Sequence, residues 1–191
     1  MITVDDFRRI RAALGRQAED DINWAESIEP PDNAEHFAAE AIFVICNSGM
    51  KNTVAHRIFE RCCEAVVHGT PVLEVFGHAG KAAAIELIWR DRDQLLKGYL
   101  AAGDQLAFLE GLPWIGGITK YHLAKNFGAQ VAKPDVHLQR LADREGTTPQ
   151  ALCERLAGET GYRVATVDTL LWRACAEGVL NSRTGVIKAF A

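Results

Sequence analysis

The chain has 191 residues, 48% hydrophobic and 24% charged, with a net charge of −4. That is the composition of a folded globular protein of one ordinary domain, or of two small lobes sharing a core, and it excludes a disordered chain. The acidic balance weighs against nucleic-acid binding through broad electrostatics and leaves room only for a local basic patch and backbone amides.

No apolar run approaches the roughly 20 residues of a membrane helix. The N-terminal MITVDDFRRIRAALGRQAEDD is charged throughout, without the apolar centre of a secretory signal. A cytoplasmic protein with no membrane partner is the expectation. Five cysteines, Cys46, Cys62, Cys63, Cys153 and Cys175, form no C-x-x-C. This argues against a disulfide framework, a zinc site and a cysteine-ligated iron–sulfur cluster. Reduced thiols packing as small apolar side chains fit better.

In chain order, Val4–Gln17 reads as an amphipathic helix with Phe7, Ile10 and Leu14 on one side. A polar connection with two prolines, Glu26–Glu35, follows, where Asp32 or Asn33 can cap the helix HFAAEAIFVIC. NSGMKN (Asn47–Asn52) interrupts the apolar run before TVAHRIFERCCEAVV resumes it, and His68–Pro71 and Phe76–Lys81 are loops. KAAAIELIWRDRDQLLKGYLAA and DQLAFLEG are two helices, or one broken near Gly103. A turn at Leu112–Gly117 leads to a helix from about Ile118 to Phe127 and a loop ending at Pro134. Helices continue through HLQRLADREG, TPQALCERLAGETG and VATVDTLLWRACAEG, the second opened by Thr147 or Thr148 before Pro149. Val164–Thr166 is a candidate extended piece, but no alternating run supports a sheet. The reading is all-α.

Two stretches carry chemistry. In LPWIGGITKYHLAKNFG, Pro113 restricts Leu112, and Gly116 and Gly117 offer positive φ and close backbone approach. A helix opening just after such a turn directs unpaired N–H groups outward with its positive dipole end behind them, which favours an anion. Thr119, Lys120 and Lys125 add donors, although an ordinary helix–turn–helix corner also uses Gly-Gly. In AKPDVHLQRLA, Pro134 fixes the approach to Asp135, either as the N-cap of the next helix or as a held acid. Lys51, His56, Arg57, Lys120, Lys125, Lys133 and Arg140 cluster around these stretches, whereas Asp5, Asp6, Glu19, Asp20, Asp21 and Glu26 lie elsewhere. Trp172 shares a helical face with Val167, Leu171 and Cys175 and is expected in the core. Asp168 is expected as an exposed helix charge, and Trp24 stands in the less regular DINWAES.

Leu112-Pro113-Trp114-Ile115-Gly116, Pro134-Asp135-Val136-His137-Leu138 and the upstream FVICNSGMKNTVAHRIFERC together resemble the helix-hairpin-helix (HhH-GPD) superfamily of DNA glycosylases. The resemblance implies a helical protein of two lobes, about 35–133 and about 1–34 with 134–191, with the active-site cleft between them. It implies a monofunctional glycosylase that flips a modified base out of double-stranded DNA and hydrolyses its N-glycosidic bond. Asp135 would stabilise the oxocarbenium-like state and activate water. Trp114, Gly116, Gly117, Ile118, Thr119, Lys120 and Lys125 would contact DNA. Asn47, Ser48, Met50 and Lys51 would fill the gap in the stack and meet the orphaned base, unless Met50 only covers the core. Trp24 and His137 are the candidate base-pocket residues, His137 more as a structural hydrogen-bonding group than as an acid.

No metal, organic cofactor or iron–sulfur cluster is expected, and the protein is expected to be a monomer, nucleoid-associated if bacterial. Members with lyase activity place a lysine where this chain has Ile118, and Lys120 lies about 200° further round a helix. A non-catalytic helix-hairpin-helix protein that binds DNA or a protein partner is the alternative, and a bifunctional glycosylase/AP lyase using Lys120 a weaker one.

Overall fold

A computed structural model of the protein describes residues 1–188. The helices in chain order are α1 (Val4–Leu14), α2 (Arg16–Ser27), α3 (Ala34–Asn47), α4 (Asn52–His68), α5 (Val72–Val75) and α6 (Ala79–Arg90). They continue with α7 (Arg92–Ala101), α8 (Gln105–Glu110), α9 (Thr119–Asn126), α10 (Val136–Glu145), α11 (Pro149–Thr160) and α12 (Val164–Ala176). Among the described residues the extended pairing is a single bridge, Leu180 to Ile187, so the protein is all-α. None of these helices is long and apolar enough to cross a membrane. The chain divides into two compact units, Met1–Glu29 with Gly128–Ala191, and Pro30–Phe127.

The terminal unit is organised around α12, against which α1, α2, α10 and α11 pack. Val164 to Leu171 are buried without interruption, which a helix achieves only when other helices cover it on every side. This is why Val164–Thr166 forms the first turn of α12 and not an extended piece. The Thr166 and Val167 amides already bond the Arg163 carbonyl. α1 opens with a capping box between Thr3 and Asp6 and buries Phe7, Ile10 and Leu14. The expected helix Val4–Gln17 is interrupted at Gly15, whose φ of 57° is left-handed, and α2 then runs to Ser27. Trp24 therefore stands on a regular helix.

Buried polar groups fix this unit. Asp168 is 1% exposed and its carboxylate accepts the Lys133 N–H at 2.8 Å, which corrects the expectation of an exposed charge. Arg173 clasps Asp21 with Nε and Nη2, at 2.8 and 3.1 Å, joining α12 to α2. Glu26 accepts the Arg163 N–H at the start of α12, where an anion complements the helix dipole. The Arg163 guanidinium donates to the carbonyls of Ala25 (3.2 Å), Ile28 (2.9 Å) and Gly128 (2.8 Å). It thus ties the segment where the chain leaves this unit to the one where it returns.

The central unit is built on α3, with Phe37, Ala38, Ala41, Ile42, Val44, Ile45 and Cys46 fully buried against α4, α6, α7 and α9. Phe127 stacks on Phe37 with ring centroids 5.1 Å apart, and Tyr99 lies 5.1 Å from Phe127. The segment read as one helix from Lys81 onward is broken at Asp91, which ends α6 and opens α7, its carboxylate bonded to the Arg90 guanidinium.

Replacing Arg163 with Met strands the Ala25, Ile28 and Gly128 carbonyls. The expected loss of stability in urea unfolding is roughly 2–4 kcal/mol, since hydrogen bonds to a charged group are individually worth about 1.5–3. Lysine should recover little, because one ammonium cannot reach both strands of chain.

Candidate nucleic-acid interface

The hairpin of the central unit closes with the Ile115 N–H on the Leu112 carbonyl, at 3.1 Å. Pro113 takes the second place of this turn and Trp114 the third. The left-handed residue is Trp114, at φ 65°, and neither Gly116 nor Gly117 adopts positive φ. This corrects the expectation drawn from the two glycines. Proline followed by a positive-φ residue is the pattern of a type II turn, which ordinarily puts glycine or asparagine third. A large side chain there costs roughly 1–2 kcal/mol and needs something to hold it. The indole of Trp114 packs against Gly80 in the first turn of α6. A methyl group at Gly80 would stand 2.7 Å from its Cζ3. The His78 ring meets the indole edge-on at 5.0 Å.

Beyond the turn, the Gly116 N–H is already used: it donates to Thr119 Oγ1 at 2.7 Å, while the Gly116 carbonyl accepts the Lys120 N–H at 2.9 Å. The amides of Gly117, Ile118 and Thr119 make no hydrogen bond among the described residues. Gly117 and Ile118 are exposed. These unpaired N–H groups lie at the start of α9, an arrangement that in general favours an anion. Lys120 pairs with Glu110, which holds its ammonium above the ordinary lysine range. Lys125 is buried, at 7% exposure, so it is not a surface donor beside the hairpin. It sits in the last turn of α9, a face the short helix turns inward.

The Asn47–Lys51 segment is a second turn in the same unit. Ser48 (φ −58°, ψ 113°) and Gly49 (φ 75°) occupy its middle, and the Met50 N–H bonds the Asn47 carbonyl at 3.1 Å. Met50 is half-buried and Lys51 exposed. Lys81, which the sequence reading did not single out, donates its ammonium to the Ser48 carbonyl at 2.6 Å. The available signal was a lone lysine at the head of the apolar run AAAIELIW.

Asp135 belongs to the terminal unit. Its N–H bonds the Lys133 carbonyl at 2.8 Å across Pro134. Its Oδ1 accepts the amides of His137 (2.9 Å) and Leu138 (3.1 Å), capping α10. Oδ2 makes no hydrogen bond among the described residues, and the side chain is half-buried. The carboxylate is thus aimed by one oxygen and leaves the other available. Burial, with a smaller contribution from the Asp135 charge, pushes the Cys175 thiol up to about 12. The His137 ring is engaged elsewhere, with Nδ1 3.1 Å from the Oγ of buried Ser182. Trp24, 45% exposed on α2, is in the same unit. Among the described residues no three His, Cys, Asp or Glu side chains gather as metal ligands.

The sequence matches no family model, and no curated protein matches it. In structure, the chain is similar to the 8-oxoguanine DNA glycosylase of Thermotoga maritima, with a TM-score of 0.66 and 17% sequence identity. The likeness covers 97% of this chain and 98% of that one. The fold of the chain is therefore that helical glycosylase fold.

Two substitutions probe this geometry directly. Asp135→Asn retains a capping oxygen and should change stability little, whereas Asp135→Ala should cost about 1 kcal/mol in denaturant unfolding. Gly80→Ala pushes the indole off its seat and should shift the tryptophan emission, most clearly in a Trp114-only background.

Proposed function

We propose that the protein is a monofunctional DNA glycosylase acting on a modified base in double-stranded DNA. The observation that carries the reading is Asp135, with Oδ1 held by two backbone amides and Oδ2 unbonded among the described residues, in a chain with a glycosylase fold. A base inside the duplex is out of reach, so the nucleotide must be extruded at a cost of a few kcal/mol. The unpaired amides of Gly117, Ile118 and Thr119 are suited to grip a phosphate, fixing register without reading sequence. Asn47, Ser48, Met50 and Lys51, which share one turn, would fill the vacated stack, Met50 as the apolar wedge.

As the bond from C1′ to the base nitrogen breaks, positive charge develops on the sugar. The Asp135 carboxylate stabilises it and orients the water whose oxygen bonds C1′. The water proton passes to the carboxylate and on to the departing base, leaving free base and an abasic site. No metal, organic cofactor or iron–sulfur cluster enters this scheme. A lyase step would need a neutral amine as nucleophile, and the Glu110 partner disfavours that form of Lys120. Trp24 and His137 remain the pocket candidates, and the working form is a monomer, nucleoid-associated if the source is bacterial.

The competing reading is a non-catalytic helix-hairpin-helix protein. It draws support from the net charge of −4 and from the burial of Lys125 and pairing of Lys120, which leave few free cations at the hairpin.

Base release from a panel of duplexes with single lesions, 8-oxoguanine first because of the structural likeness, separates the readings. Strand cleavage is expected for one lesion only after alkali, and Asp135→Asn should slow release by roughly 10²–10³-fold, the scale of a lost electrostatic stabiliser. Cleavage without alkali, abolished by Lys120→Gln, would establish the lyase. Duplex binding with no release from any lesion would establish the non-catalytic protein.

A further inference from the structure

The first turn of α6 holds both exposed turns of the central unit at once. Gly80 seats the Trp114 indole, and no side chain larger than hydrogen leaves room for it there. The next residue, Lys81, reaches in the other direction to the Ser48 carbonyl. Lys81 as a whole is 4% exposed, and its ammonium stands 5.8 Å from the centre of the Phe76 ring. Burial lowers its pKa, and a cation at a helix N-terminus opposes the dipole. A lysine in such a place is retained against two costs, which the bond to Ser48 offsets.

That carbonyl is not an arbitrary acceptor. It belongs to the peptide between Ser48 and Gly49, the middle peptide of the turn. Type I and type II turns differ by a flip of this peptide, and Gly49 tolerates either. The observed angles are those of type II, and Lys81 bonds the oxygen in that orientation. The same ammonium closes the C-terminal end of α3, where a cation is favourable.

We propose that Lys81 is a positioning residue that selects the type II form of the Asn47–Met50 turn, and that Gly80–Lys81 spaces this turn against the Trp114 hairpin. The DNA consequence rests on the glycosylase reading: the turn enters the vacated stack only when its middle peptide is held.

Two variants test it. Lys81→Met keeps the buried stem and removes the ammonium. Gly49→Ala leaves Lys81 in place but strains the left-handed position, in open space at the surface, so it folds even if Lys81→Met does not. Amide hydrogen exchange at residues 48–51 should quicken roughly tenfold in each, the scale of a lost charge-assisted hydrogen bond in Lys81→Met and of left-handed strain in Gly49→Ala, with α7 and α8 unchanged. The preference for a duplex carrying a tetrahydrofuran abasic analogue over an intact duplex should fall about tenfold in each, for the same two reasons, with intact-duplex affinity held. Unchanged exchange in the folded variants would overturn the brace. Quickened exchange with the abasic preference intact would overturn the positioning role. Wild-type protein that binds neither duplex would remove the glycosylase reading, while the exchange result would still decide the brace.

Discussion

A tryptophan in the left-handed backbone region persists only where its side chain is held firmly, and the hairpin of the central unit depends on one such contact. The Trp114 indole rests on the bare backbone of Gly80. With the ring seated, the turn closes, Gly116 donates to Thr119, and the next three amides are left without a hydrogen-bond partner among the described residues. Without that seat, the cost of the left-handed tryptophan would favour another turn, and the backbone leading into α9 would change with it. A site made of main-chain groups is only as well defined as the side chain that sets the main chain.

The terminal unit reaches the same end by a different route. Pro134 and the capping bonds of Asp135 fix one carboxylate oxygen at the head of α10, and the loop leading to it is fixed in turn. Lys133 donates its N–H to buried Asp168 on α12, and Gly128 is held by Arg163 at the N-cap of the same helix. Both ends of the loop before Asp135 are therefore anchored to α12, the most deeply buried helix of the unit. The carboxylate owes its placement to the core, through two polar contacts that the hydrophobic pattern does not reveal.

The helical period is visible almost everywhere along the chain, which is why the all-α class could be read directly. So could the position of the hairpin, since proline and paired glycines exclude a helix. Its conformation could not: residue rules assign positive φ to glycine, and only the distant Gly80 explains why Trp114 takes it. Gly15 splits the first helix through its positive φ, which a glycine inside an apolar period does not announce. Asp168 and Lys125 looked like surface charges because a helix pattern gives the face but not what covers it. Lys81 carried no motif at all, and its importance comes from a carbonyl that lies in another loop.

The pairing of Lys120 with Glu110 has a consequence for ionic strength. Each free cation that neutralises a phosphate releases condensed counterions, and the logarithm of affinity then falls steeply with the logarithm of salt concentration. Lys120 brings its own carboxylate, and the amides of Gly117, Ile118 and Thr119 carry no net charge. A polyanion gripped through this hairpin would give up few counterions, and its affinity would change gently with salt.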